Sequence, residues 1–279
     1  MNRRPFSSKL ELKNDGQLSL FFVGCGSAFS KDNFQNNLLV IKGDDHVLID
    51  CGTLCPYVME TKYNTPVKLI DNLILTHPHA DHIGGVEEIV FIAKYISKKL
   101  VNIIIPDEFK KKLWNESLKG GIQFSEEGRM TFDDYFNQIK PKLLLKKPFA
   151  LYDSNIGKIN LKLFRTRHVT TSKTSLRHSQ ISYGVLIDEK VLFTADTQFN
   201  QPQLAYLLSN YPDIEVIFHD CDISGYSAGV HASYEQLCSL PADIKQKMYL
   251  CHYNEKVNGI DSILDGFAGL VHCGVYYDF

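Results

Sequence analysis

His77-Pro78-His79-Ala80-Asp81-His82 packs four ligand-type side chains into six residues. It follows Asp71-Asn72-Leu73-Ile74-Leu75-Thr76, an apolar run that reads as a short buried strand. His77 and His79 alternate as residues at a strand end do, so their rings share a side. Asp81 and His82 fall on the turn beyond. Imidazole and carboxylate are donors for zinc, manganese or iron, and four of them this close cannot all be satisfied inside an apolar core. Gly84-Gly85 follows, read as room for the backbone to pass close to bound ions, and Glu87 to Ile96 has helical spacing.

Moving outward, the same arrangement recurs. Lys190 to Phe193 stops at Thr194-Ala195-Asp196-Thr197, Val216 to Phe218 at His219-Asp220-Cys221-Asp222, and Met248 to Cys251 at His252. Ile159 to Phe164 leads to Arg165-Thr166-Arg167-His168. Leu18 to Val23 runs into Gly24-Cys25-Gly26-Ser27, and Leu38–Ile41 with Val47–Asp50 reads as a hairpin. Phe109 to Leu118 looks helical until Gly120-Gly121, and so does Tyr234 to Leu240. Apolar strands that each end in His or Asp predict an α/β fold with a site along one sheet edge.

Bulk properties narrow the options. A chain of 279 residues holds one large α/β domain, taken here as residues 1–279. The formal net charge of −2 gives no global basic field, so nucleic acid is a less favoured partner. Seven scattered cysteines predict buried, reduced thiols rather than a disulfide framework. No apolar segment follows the basic Met1–Phe6, so a cytoplasmic protein with no membrane partner is expected. Ser125 to Lys147 is polar and aromatic without a sheet pattern. The stretch of about 94–153 therefore reads as an insertion that covers the site or forms a dimer face. Its Trp114, Phe124, Phe132, Tyr135 and Phe136 would stack a nucleobase or, the preferred reading, line a homodimer contact. Tyr276-Tyr277-Asp278-Phe279 is expected to dock on a partner subunit in the same way.

The six-residue stretch, followed in order by His168, Asp196 and His252, resembles the metallo-β-lactamase fold superfamily and its HxHxDH signature. The resemblance runs from the Gly24 turn to His252. It implies an αββα sandwich of two packed mixed sheets flanked by helices. It also implies two divalent metal ions, zinc first and manganese second. His77, His79 and His168 would hold one ion, and Asp81, His82 and His252 the other. Asp196 would bridge them, and a metal-bridging hydroxide would be the nucleophile. Redox branches of the superfamily with iron carry an acidic residue where His79 stands, which points this chain toward hydrolysis.

Three elements are similar to the phosphodiesterase branch near ribonuclease Z: Gly24-Cys25-Gly26-Ser27-Ala28, Ala195-Asp196-Thr197 and His231-Ala232-Ser233. The resemblance assigns His231 as general acid beside the catalytic Asp81, with Asp220 or Asp222 orienting its ring. The plainer alternative is that His231 caps the helix from Tyr234. Ser27 and its turn's N–H groups, with Arg165, Arg167, Lys173, Arg177 and His178, would contact phosphate.

Two departures argue against transfer RNA. Only 28 positions separate His168 from Asp196, too few for the long arm of ribonuclease Z. His252-Tyr253-Asn254 also lacks the Ser and Arg that follow the histidine there. The chain looks more like the small cyclic-nucleotide phosphodiesterases of this fold, a group that includes phage anti-Pycsar enzymes. A small phosphodiester, a 3′,5′-cyclic mononucleotide, is thus the expected substrate. The competing readings are a tRNA 3′ endonuclease, an acyl hydrolase (thioesterase or lactonase) and a non-catalytic nucleotide sponge.

Overall fold

A computed structural model describes residues 1–170, 179–225, 229–254 and 260–279. The strands of the first half are β1 (Asn2–Pro5), β2 (Ser19–Gly24), β3 (Asn37–Lys42), β4 (Asp45–Ile49), β5 (Asn72–Ile74) and β6 (Val101–Ile104). A small ribbon, β7 (Phe124–Ser125) with β8 (Gly128–Arg129), joins neither main sheet. Then come β9 (Phe136–Ile139), β10 (Lys142–Leu145), β11 (Leu151–Ile156), β12 (Ile159–Arg165), β13 (Tyr183–Ile187) and β14 (Val191–Phe193). The last are β15 (Val216–Asp220), β16 (Met248–Cys251), β17 (Gly269–Leu270) and β18 (Val275–Asp278).

They form two eight-stranded sheets, ordered β1-β18-β2-β3-β4-β5-β6-β9 and β10-β11-β12-β13-β14-β15-β16-β17. Each mixes an antiparallel half with a parallel run: β4-β5-β6-β9 in the first and β14-β15-β16-β17 in the second. Period-two alternation builds the layers. Val191 and Phe193 face the shared core between the sheets, whereas Leu192 faces outward; Phe218 and Ile217 divide the same way. Across that core Phe22 meets Phe218 at 5.0 Å and Phe193 at 6.2 Å between ring centroids. Leu204 and Leu207 of the helix Gln201–Asn210 cover the outer face of the second sheet. Val58 and Met59 of Cys55–Thr61, and Phe109 and Leu113 of Asp107–Leu113, join the core of the first. This is the expected αββα sandwich.

Several local expectations are corrected. The stretch 94–153 is woven into both sheets, giving β6 and β9 to the first and β10 and the start of β11 to the second. Phe132, Tyr135 and Phe136 are consequently buried, and Trp114 packs against the same core. Of the five aromatics only Phe124 is exposed and Trp114 is half-buried, so the five do not together form an exposed aromatic face. Gly120-Gly121 does not end the helical segment, because Lys119–Ile122 is helical. Gly121 is instead a contact point, since a Cβ there would lie 1.7 Å from Oε1 of Glu87. Tyr276 and Tyr277 do not face a partner. They lie in β18 between β1 and β2, buried, and their hydroxyls accept the N–H groups of Glu11 and His272 at 2.8 and 3.0 Å. The cysteines are free, five buried and two half-buried. No helix among the described residues is long and apolar enough to cross a membrane.

Candidate metal centre

The parallel runs of both sheets aim their C-terminal ends at one place, the edge where α/β sheets build sites. His77 follows β5, Asp196 follows β14, Asp220 ends β15 and His252 follows β16. His168 follows the antiparallel β12. Asp81 and His82 sit on the single helical turn Ala80–Ile83, entered from an extended His79. Gly84 and Gly85 serve packing there rather than ion access. A Cβ on Gly85 would lie 2.7 Å from Sγ of Cys51 and from the carbonyl of Gly52, so the glycines let two turns touch.

The donors converge in adjoining groups whose ligand atoms all lie within 4.8 Å of one another. The first is His77, His79, His168 and Asp196. In it His77 Nε2 lies 3.0 Å from His79 Nδ1, and His168 Nε2 lies 3.3 Å from the same atom. The second is Asp81, His82, Asp196 and His252. There His82 Nε2 stands 3.2 Å from Asp81 and 3.4 Å from Asp196 Oδ1, and His252 Nε2 stands 3.5 and 3.4 Å from the same two carboxylates. Asp196 belongs to both.

The other nitrogen of each of four rings is already engaged, which sets its orientation. Nδ1 of His82 bonds Oδ2 of Asp50 at 2.7 Å, and Nδ1 of His168 donates to the Val230 carbonyl at 2.8 Å. Nδ1 of His77 contacts the Thr76 hydroxyl at 3.0 Å, and Nδ1 of His252 faces Asp220 Oδ1 at 3.3 Å. Asp50, read from sequence only as the end of a hairpin strand, is fully buried and also takes the N–H and hydroxyl of Thr76, each at 2.7 Å. The only sequence signal for it was a carboxylate closing a strand, because the histidine-rich turn it supports lies elsewhere in the chain.

His82 Nε2, His252 Nε2 and Asp196 Oδ1 are buried yet have no hydrogen-bond partner. Leaving buried imidazole and carboxylate groups unpartnered in this number is costly unless a cation joins them. The donor set therefore fits a pair of divalent metal ions. Burial holds the His77 imidazole well below its ordinary pKa and brings His168 down to about 4, so both rings are neutral and available as ligands. Burial opposes ionisation of Asp81, but His82 and His252 together outweigh it and hold its carboxyl well below the ordinary range.

His231 stands at the rim with 22% of its side chain exposed. Its Nδ1 lies 2.7 Å from Oδ2 of Asp220, and its ring stacks on His252 at 4.8 Å between centroids. Burial works against charge on this ring, but Asp220 outweighs it and holds the imidazole above its ordinary value. Asp222 is not the orienting group, since its Oδ1 accepts the N–H of Ser224 at 2.8 Å. Nor does His231 cap the helix Tyr234–Cys238. Ser233 does, in a capping box with Gln236.

The substrate-contact residues fare unevenly. Ser27 adjoins the centre, its N–H donating to the carbonyl of Tyr253 at 3.0 Å. The N–H groups of Cys25 and Gly26 are likewise spent, on Asn33 and Phe34, so this turn is no anion cradle. Arg165 is spent on the carbonyls of Thr166, Ser179, Gln180 and Ser182. Arg167 lies one residue before His168, half-buried. Lys173, Arg177 and His178 lie outside the described residues.

Comparison with known proteins agrees with this architecture. In fold the chain is similar to the metallo-β-lactamase fold protein YhfI from Bacillus subtilis, with a TM-score of 0.66 and 16% identity over 94% of this chain and 100% of that one. In sequence it is 34% identical to the Anti-Pycsar protein Apyc1 of Bacillus phage vB_BsuM-Goe3 over 85% of this chain and 90% of the relative. It is 31% identical to the protein of that name from Paenibacillus xerothermodurans, over 86% and 89% of the two chains. The family described as Anti-Pycsar protein Apyc1 matches residues 18–277, and with nearly the whole length so covered, this chain belongs to the Apyc1 family.

Proposed function

We propose that this chain is a di-metal phosphodiesterase that hydrolyses 3′,5′-cyclic mononucleotides. The observation that carries the reading is the pair of donor groups sharing Asp196, with His231 at their open rim. Membership of a family described as anti-Pycsar supports a cyclic nucleotide as the substrate. His77, His79 and His168 would hold one ion, Asp81, His82 and His252 the second, and Asp196 would touch both. Zinc is the metal this set favours, with manganese second, because imidazole and carboxylate are mixed around compact sites. Such a pair lowers the pKa of water toward neutrality and draws charge from phosphate oxygens.

The chain's own residues do the rest. Asp50, Thr76, Val230 and Asp220 keep the imidazoles turned inward. Asp220 accepts the Nδ1 proton of His231 and favours its charged form, which leaves the Nε2 proton for the departing ribose oxygen. Arg167, the neighbour of His168, and the Ser27 side chain are the phosphate contacts this reading retains. Residues 1–279 are read as one domain, since both sheets share a core. A homodimer and a cytoplasmic location belong to the same proposal.

The test is a substrate panel with zinc- or manganese-loaded protein: cyclic mononucleotides, cyclic dinucleotides, precursor tRNA and a thioester. Ring opening of cyclic mononucleotides to the 5′- or 3′-monophosphate is the expected result. Cleavage of tRNA alone would install the endonuclease reading, hydrolysis of the thioester alone the acyl-hydrolase reading, and binding without turnover the sponge.

A further inference from the structure

A phosphodiester held at the metal centre leaves its nucleobase one ribose away, where the protein must either grip it or ignore it. The aromatics of 94–153 are mostly buried, so they do not provide the grip. Phe29 has no such constraint. It is 88% exposed, the most exposed of the large apolar side chains among the described residues. Single exposed apolar residues are ordinary on protein surfaces, so exposure alone says little. Its mounting says more.

Phe29 lies in the tight turn Ser27-Ala28-Phe29-Ser30, closed by the Ser30 N–H donating to the Ser27 carbonyl at 3.0 Å. On one side the turn is bonded to the backbone beside a ligand. The Ser27 N–H donates to Tyr253, next to His252, and the His252 N–H donates to Cys25 at 2.7 Å. On the other side Gln35 donates to the Ala28 carbonyl at 3.2 Å while its Oε1 accepts the Leu54 N–H at 2.9 Å. Gly52, two residues before Leu54, packs so closely on Asp81 that a Cβ would sit 2.0 Å from that residue's carbonyl. Asn33 closes the loop by donating its N–H to Oγ of Ser30 at 3.3 Å. The turn is thus braced between the backbone beside His252 and the Gly52–Leu54 turn, which packs on Asp81; both ligand-type residues belong to the second donor group. A bare phenyl on a rigid mount costs little conformational entropy on binding a flat ligand.

We propose that Phe29 is a substrate-binding residue that stacks the nucleobase of the cyclic nucleotide. The inference rests on the phosphodiesterase reading above. It predicts tolerance among bases, because every base offers a π-face and stacking reads no hydrogen-bond edge.

The experiment compares wild type, Phe29→Ala and Phe29→Trp on two substrates with metal-loaded protein. One is a cyclic mononucleotide. The other is the same ribose 3′,5′-cyclic phosphate with a methoxy group replacing the base. Phe29→Ala should raise KM for the nucleotide roughly 5- to 150-fold, as loss of one stacked base implies. Its kcat, and its kcat/KM on the base-free ring, should stay near wild type, and Phe29→Trp should restore KM. Equal losses on both substrates would overturn the inference, as would an unchanged KM, while the phosphodiesterase reading would survive either. A fall in oligomer mass of Phe29→Ala by light scattering, with both substrates slowed, would assign the side chain to a subunit contact instead. A wild type inactive on both rings would bring down the parent reading and this inference with it.

Discussion

Asp50 touches no proposed ion, yet it takes three hydrogen bonds that hold His82 and the Thr76 backbone in place. Replacing Asp50 with Asn keeps the shape and removes the charge behind the His82 ring. Metal affinity should fall about 10–100-fold, the usual cost of losing such a supporting carboxylate. Competition with a chromogenic chelator would show it, and an unchanged affinity would make Asp50 merely structural. His231→Gln separates a different role. It should lower kcat by about 10²–10⁴-fold, the range of general acid catalysis, with two metals per chain still found by elemental analysis. Full activity would remove His231 from the mechanism. The proposed ligands were legible in the sequence because six residues held four of them. Asp50 and the Asp220–His231 pairing were less so, because an isolated carboxylate at a strand end has many uses until a fold brings something to it.

At the level of elements, the strand ends that build the site share a backbone feature. Asp50, Ala195 and His252 have positive φ of 65°, 48° and 60°. Non-glycine residues rarely adopt that region, and such strain gathers where function requires a sharp exit from a strand. Ala195 turns the chain out of β14 so that Asp196 points into the cluster. Ala195→Gly should therefore relieve about 1–2 kcal/mol of steric cost and lose about 0.5–1 through the freer unfolded chain. A net gain of about 0–1.5 kcal/mol is expected in urea unfolding, and a destabilised variant would contradict the strain argument. Strands β5, β12, β14, β15 and β16 were readable from apolar runs that stop at polar ligands. β9 and β10 were not, because Ser125 to Lys147 gains its order from pairing with distant strands such as β6, not from its own pattern. The helix Gln201–Asn210 was missed although Asn200 caps it and Pro202 sits in its first turn.

On the scale of the whole molecule, the first sheet brings Asp50, His77, His79, Asp81 and His82, and the second brings His168, Asp196, Asp220 and His252. Few direct main-chain bonds join the sheets here, one being the Tyr183 N–H to the Thr76 carbonyl at 3.1 Å. Ions binding only the folded chain stabilise it by mass action, about 2.7 kcal/mol at a hundredfold excess over Kd. Stripping with a chelator should thus lower Tm by several degrees, and re-adding zinc should restore it. Identical melting curves with and without metal would show that the centre does not join the layers.

A ligand set divided between two layers has a consequence during folding. Halves that meshed out of register, or one half folded ahead of the other, would present an incomplete set of donors and hold ions poorly. Capture of both cations would thereby act as a proofreading step, with catalytic competence arriving only on correct assembly.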